Sequence, residues 1–311
     1  MGLLFAGYEL LGLLGQGGMA DVYRARALTG PRAGQEVAVK QLKAELAADA
    51  EYVELFRQEA LITRRLHHPA VIDVFDAGVE DGRPYLVMDL VDGKNLRQVL
   101  SQCAQRAILL PVDFGAFLGH QLALALDHAH AGTDRQGAPL GIIHCDVSPS
   151  NVFISRLGEV KLGDFGVALT PGASKAARHG ALGKIHYLAP EQLRGEPLTP
   201  RTDLFALGAV LFELLTNHRA FPGTTVDEVG QRILGGELRA PSALRPEVGS
   251  ALDLVTLRCL APDPAERWES AAAFAAEIQT RYDPVIGTPL AIAAVVRGLF
   301  GATSAGLPRQ G

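Results

Sequence analysis

Between Ile142 and Gly166 the chain carries three polar side chains whose spacing leaves few folds open to it. Asp146 and Asn151 stand five residues apart on a stretch broken by Pro149, so both can project from one loop into one cleft. Two strand-like runs follow, Val152 to Ser155 and Glu159 to Leu162, and then Asp164-Phe165-Gly166. An Asp, an Asn and a second Asp converging on a cleft suit a hard divalent cation held by oxygen ligands beside phosphate groups. Any one of these clusters reads equally well as a plain turn. All of them in this order do not.

The rest of the chain divides by pattern. Tyr8 to Leu14, Asp21 to Ala27 and Gln35 to Leu42 read as strands, with Thr29-Gly30-Pro31 as a turn. Glu45 to Leu66 lacks Gly and Pro and predicts a helix. Val71 to Ala77 and Pro84 to Leu90 flank Asp81-Gly82, a hairpin signal. From Asn95 the pattern turns helical: Leu96 to Cys103, Phe114 to Ala131, Asp203 to Leu215, Val226 to Leu234, Ala251 to Leu260 and Ala271 to Arg281. The expectation is an α+β molecule of two lobes, a small β-rich one over 1–91 and a larger, mainly helical one over 92–282, jointed at Val91-Asp92-Gly93. Residues 283–311 read as a poorly packed tail with one short apolar helix on Leu290, Ile292, Val295, Val296, Leu299 and Phe300. That helix would dock on the large lobe or on a partner domain or protein, with simple disorder of the tail as the alternative.

Two features of the small lobe bear on chemistry. The glycines Gly15, Gly17 and Gly18 lie between two predicted strands, where a dinucleotide-binding fold would need a helix. On a hairpin such glycines let backbone amides close over phosphate oxygens, although glycine clusters are also ordinary turns. Lys40 ends the apolar strand Val37-Ala38-Val39, which could simply mark where the strand meets solvent. The next helix argues otherwise. Glu59 falls on the apolar stripe of Leu55, Ile62 and Leu66, and a carboxylate aimed at a core is costly unless paired. Lys40 is its natural partner, giving a fixed positive charge for phosphate oxygens.

Composition narrows the class further. Lys and Arg number 29 against 34 Asp and Glu, a net charge of -5 with no dense basic block, which argues against a nucleic-acid partner. Cys103, Cys145 and Cys259 form no C-x-x-C pair, consistent with a reduced compartment and no zinc site. Met1 to Tyr8 is too short and uncharged for a signal peptide, and no apolar run approaches the ~20 residues that cross a bilayer. A cytoplasmic location is the expectation.

Gly15-x-Gly17, Ala38-x-Lys40, Glu59, His144-x-Asp146, Asn151, Asp164-Phe165-Gly166 and Ala189-Pro190-Glu191 together resemble the protein-kinase signature set. The wording around Gly18-Met19 and Ala189-Pro190-Glu191-Gln192 is similar to bacterial, eukaryotic-like (Hanks-type) serine/threonine kinases, over Tyr8 to Tyr282. The resemblance implies transfer of the γ-phosphoryl of ATP to protein hydroxyls, with Mg2+ or, as a substitute, Mn2+. It implies that Gly15 to Val22 cover ATP, that Lys40, held by Glu59, binds the α- and β-phosphates, and that Asp146 accepts the proton of the substrate hydroxyl. Asn151 and Asp164 would hold the metal. Met88 would be the gatekeeper, Asp89 and Val91 would offer hinge backbone groups, and Leu14, Val22, Ala38 and Phe153 would sandwich adenine. Asp203 would brace the catalytic loop, and Arg267 would pair with Glu191, a pairing that separates protein kinases from small-molecule phosphotransferases.

Three departures stand against that pattern. The family usually has Arg where Cys145 stands, to bind a phosphate on the activation loop, so regulation through Thr170 or Ser174 loses its main anchor. It usually has Lys where Ser148 stands, and Thr where Lys184 stands; either a hydroxyl and an ammonium have traded places, which makes Lys184 a candidate catalytic residue, or the two positions drifted independently and Lys184 is merely solvated. These departures leave a pseudokinase, a nucleotide-gated binding module without transfer, as the alternative.

Overall fold

Alternation along one strand already decides which way Lys40 faces. In β4 (Glu36–Leu42) the odd-numbered Val37 and Val39 are buried on one face of the sheet, and the even-numbered Ala38 and Leu42 on the other, so Lys40 shares the second face. The computed structural model describes residues 3–165, 181–283 and 287–301, with the side chains of 181 and 182 excepted. β4 lies inside a six-stranded antiparallel sheet that also contains β1 (Leu3–Phe5), β2 (Tyr8–Gln16), β3 (Ala20–Ala27), β5 (Val74–Glu80) and β6 (Arg83–Asp89), in the order β1-β2-β3-β4-β6-β5. The Asp81-Gly82 hairpin forms as expected, both residues at positive φ of 49° and 74°. β1 is an addition to the sequence reading: Ala6 and Gly7 adopt the same positive-φ pair, at 49° and 85°, and Ala-Gly carries little turn signal.

The helix expected over Glu45 to Leu66 is shorter. A 3-10 turn at Ala44–Leu46 precedes α1 (Ala50–Thr63), because the Asp49 carboxylate accepts the Glu51 N–H and caps a new start. Its buried face is Tyr52, Phe56, Glu59, Ala60 and Thr63, one step round from the stripe read in the sequence; Leu55 and Ile62 are only half-buried and Leu66 lies beyond the helix end. Glu59 stays on the buried face in either register. After α1 the chain leaves the small sheet: Leu66, Ala70 and Val71 pack into the large-lobe core, and Ile72 N and Leu162 O pair at 2.9 Å.

The large lobe begins with β7 (Gly93–Asn95), which pairs with β8 (Val152–Ser155), and β8 pairs in turn with β9 (Val160–Leu162), giving a three-stranded sheet in the order β7-β8-β9. Asn95 opens α2 (Leu96–Arg106) with a capping box to Gln98. α3 (Val112–Ala131) runs through the core, followed by the short α4 (Ala181–Lys184) and α5 (Pro190–Arg194). α6 (Pro200–Thr216) is mostly apolar and buried from Thr202 to Thr216, which fits a central helix rather than an amphipathic one. α7 (Val226–Gly235), α8 (Pro241–Leu244), α9 (Gly249–Cys259) and α10 (Ala271–Gln279) surround it.

Of the options for the tail helix, the structure has the large lobe, with one residue of the expected face differing. α11 (Pro289–Phe300), capped by Thr288, packs on the large lobe through Ile292, Ala293, Val296 and Leu299, with Val295 and Phe300 at its margin. Leu290, assigned to the apolar face, is 74% exposed; it sits at the helix start on the far side from Ile292. Pro289 O closes on Gly158, whose positive φ of 84° and missing Cβ allow that approach. Among the described residues no helix is long and apolar enough to cross a membrane.

Candidate active site

Asp203, on α6, braces the loop that carries Asp146. Its Oδ2 accepts the His144 N–H at 2.7 Å and its Oδ1 the Cys145 N–H at 2.8 Å, while His130 Nε2 lies 2.7 Å from Oδ2. Those bonds hold Cys145 at φ 63°, a conformation an L residue seldom adopts unaided. His144, fully buried, accepts the Asp146 N–H at Nδ1 (3.2 Å) and donates from Nε2 to Gly163 O (3.2 Å), an arrangement that assigns the proton to Nε2. Burial pushes its pKa down, outweighing Asp203 and Asp146, and keeps the ring neutral. Phe165 packs on it at 4.3 Å between ring centroids. The Cys145 thiol is pushed up by burial and then by Asp203 and Asp146, so it is no nucleophile at neutral pH.

Asn151 Nδ2 donates to Asp146 O (2.8 Å) and Oδ2 (2.9 Å), tying the two ends of the loop. With Nδ2 so engaged, the Asn151 amide oxygen is the atom free for a cation. Lys40 Nζ sits 2.7 Å from both Glu59 Oε1 and Asp164 Oδ1. Burial opposes its charge, but Asp164 and Glu59 together outweigh it and hold Lys40 above its ordinary value. Asp164, at φ 49°, is likewise held below the usual carboxylate range: Lys40 overcomes the cost of burial there. Hard oxygen donors on Asn151 and Asp164 are the chemistry that Mg2+ takes with phosphate oxygens.

Of the residues expected to sandwich adenine or line its hinge, Ala38 and Met88 are buried in one apolar cluster, with Val22, Val91 and Phe153 packed against it. Leu14 is not among them; it is 52% exposed on β2. Gly15 and Gly17 are exposed, and Gly17 N–H bonds Ala20 O at 2.8 Å to close the loop tip. The Asp89 N–H is taken by Asp73 O at 3.0 Å. Met19, not singled out in the sequence, packs on the same cluster from the glycine loop.

The segment leading into α5 closes the site from the other side. Lys184 Nζ bonds Asp146 Oδ2. Behind it, His186 Nδ1 meets Phe221 O at 2.8 Å, and the Tyr187 hydroxyl bonds Glu213 and Arg97. Gln192 Nε2 donates to Cys145 O at 2.9 Å. Glu191 and Arg267 form a two-point buried pair at 2.7 and 2.8 Å; Arg267 outweighs burial and lowers the Glu191 pKa. The Tyr187–Glu213–Arg97 cluster escaped the sequence reading, although Glu213 inside the apolar run Leu211 to Leu215 was a signal that a partner must exist. Thr170, Ser174 and the Gly166 of Asp164-Phe165-Gly166 lie outside the described residues.

Known proteins arrange the same elements. The chain is 36% identical over 304 residues to the probable serine/threonine-protein kinase SCO3848 of Streptomyces coelicolor, covering 95% of this chain and 43% of that one. It is 33% identical to the tyrosine-protein kinase MasK of Myxococcus xanthus, covering 88% and 42%. The crystal structure of the Mycobacterium tuberculosis PknI kinase domain superposes with a TM-score of 0.67 at 30% identity, covering 90% of this chain and 98% of that one. The chain thus spans about two fifths of the length of the curated relatives it matches, which share 43%, 42% and 40% of their lengths with it. The protein kinase domain model matches residues 8–278, and the chain belongs to that family.

Proposed function

We propose that the chain is an ATP-dependent protein serine/threonine kinase acting with Mg2+, or Mn2+ in its place. Residues 1–91 and 92–282 would form the two lobes around the nucleotide, and 283–311 would be an accessory tail. The observation that carries the reading is the Lys40 ammonium bridging Glu59 and Asp164, which sets a fixed cation beside the metal-binding carboxylate. Lys40 would bind the α- and β-phosphates, and Gly15, Gly17 and Val22 would cover them. Leu14, Ala38, Met88, Asp89, Val91 and Phe153 would receive adenine. The metal on Asn151 and Asp164 would screen the phosphate charge.

The acceptor hydroxyl gives its proton to Asp146 as its oxygen bonds the γ-phosphorus. The bond from that phosphorus to the β–γ bridging oxygen breaks, and its electron pair leaves with ADP. Asp146 is oriented by Asn151, and its loop by Asp203, so the chemistry is positioning and charge neutralisation. The buried Glu191–Arg267 pair supports a protein acceptor over a small molecule. A pseudokinase reading finds no support, since Lys40, Glu59, Asp146, Asn151 and Asp164 are all retained. A partner on the tail finds little, since Ile292, Val296 and Leu299 face the chain's own large lobe. A cytoplasmic location, where ATP is plentiful, goes with the reading.

The test is incubation with radiolabelled ATP, Mg2+ and a generic protein acceptor, beside Asp146→Asn. The wild type should transfer label to Ser or Thr. Asp146→Asn should bind ATP within a few-fold and transfer almost none. Label confined to Tyr, as the name of MasK would suggest, would overturn the acceptor assignment. Equal losses of binding and turnover would overturn the role of Asp146.

A further inference from the structure

The loop that carries Asp146 brings no cation of its own to the cleft. Between Ile142 and Phe153 there is neither Lys nor Arg, and His144 is held neutral by its two hydrogen bonds. Ser148, two residues after Asp146, is 2% exposed, and its hydroxyl has no hydrogen-bond partner among the described residues. Lys40 is committed to Glu59 and Asp164. The ammonium on Asp146 arrives from Lys184, 38 residues along the chain. Its placement is not that of a loose surface side chain: Ile185, His186 and Tyr187 directly behind it are buried, and the last two are hydrogen-bonded to Phe221 and Glu213.

We propose that Lys184 is a catalytic cation, supplied to Asp146 and to the transferring phosphoryl group by the segment ahead of α5. The inference rests on the phosphoryl-transfer reading above. For Asp146 to take a proton from a hydroxyl attacking phosphorus, that phosphorus must be brought up beside Asp146, within reach of an ammonium already on Oδ2. In the open cleft the Lys184 side chain is 48% exposed, and an ion pair that wet contributes little stability. Its effect grows when nucleotide and acceptor exclude water, because the same charge then acts at lower dielectric on the charge that moves. Ser148 and Lys184 form one unit in which the charge has moved to the second segment. Transfer therefore requires that segment to be docked through Tyr187 and His186, so that displacing it removes the cation.

Lys184→Met keeps the aliphatic stem and removes the charge. It should lower kcat by roughly 10- to 1000-fold, the range for one lost stabilising group, with an unchanged melting temperature. It should also weaken Mg·ATP binding, measured calorimetrically, by about 3- to 10-fold, about 1 kcal/mol, while Mg·ADP binding stays the same. Lys184→Arg should keep most of both. Adding Ser148→Lys to Lys184→Met should recover much of kcat. Lys184→Met with wild-type kcat, equal weakening of ATP and ADP, or additive losses in a folded double variant would each overturn the proposal. A wild type that transfers no phosphate overturns the kinase reading instead, and the ATP-to-ADP affinity ratio still decides the role of Lys184.

Discussion

Lys40 holds two carboxylates at 2.7 Å each, so the loss of either partner has unequal consequences for stability and for turnover. Removing Glu59 leaves Lys40 paired with Asp164, and the destabilisation should fall below the ~3–5 kcal/mol of a buried ion stripped of all partners. Turnover should suffer more, because Lys40 is then free to follow Asp164 and compete with the metal for it. Glu59→Ala is expected to lower kcat by at least about 10-fold while shifting the urea midpoint modestly. Unchanged turnover would show that the pair has no part in positioning phosphate. This pair was legible in the sequence because Glu59 falls on an apolar helix stripe and an inward carboxylate needs a partner, for which Lys40 at the end of the neighbouring strand was the candidate. The Lys184–Asp146 contact was legible only as a substitution at two separate places. No periodicity brings position 184 to position 146; that depends on how Tyr187 and Glu213 dock the segment.

At the scale of elements, α11 shows what patterning reads well and what it misses. Six apolar residues marked a helical face correctly in kind, but Leu290 lies outside it and Ala293 inside it, because small residues at a close approach carry no hydrophobic signal. α1 shifted for a similar reason: Asp49 offered a cap that composition alone did not weigh against a longer helix. α11 rests on α2, on the β8–β9 turn, where Arg297 donates to Arg156 O, and beside β7, whose Lys94 lies 5.2 Å from the Phe300 ring. Val296→Asp would bury an unpaired carboxylate there and should cost about 2–4 kcal/mol, read as a lower chemical-denaturation midpoint. Leu290→Asp, at an exposed site, should stay within about 0.5 kcal/mol. Equal effects of the two would mean that the helix does not dock in solution.

Across the whole molecule, buried histidines and paired charges set opposite limits on pH. The pKa values of His68, His120, His128, His144 and His186 are all lowered, burial being the first cause in each case. A native state that refuses protons its unfolded chain accepts is stable above the ordinary His value of about 6.5 and loses stability as pH falls below it. Asp164 and Glu191, also lowered, add a second loss on the way down through the carboxylate range. Lys40 is raised, so its contribution is present below about 10.4 and is lost only as pH climbs beyond that. The Cys103, Cys145 and Cys259 thiols, all pushed up by burial, set the alkaline limit earlier, so stability should be greatest between roughly pH 7 and 8.5 and fall steadily from 7 to 5, with fully buried His144 contributing at most about 1.4 kcal/mol per pH unit. His144 also links this slope to function: a proton on Nδ1 would face the Asp146 N–H it now accepts, loosening the loop that carries the catalytic carboxylate. The acid limb of kcat should lie below the ordinary His range, where native His144 takes up its proton, and so begin at a lower pH than the fall in melting temperature. A melting temperature that stays flat from pH 7.5 to 5, measured by calorimetry, would show that the native protein takes up protons at these histidines freely, and the account of the loop through neutral His144 would fall with it.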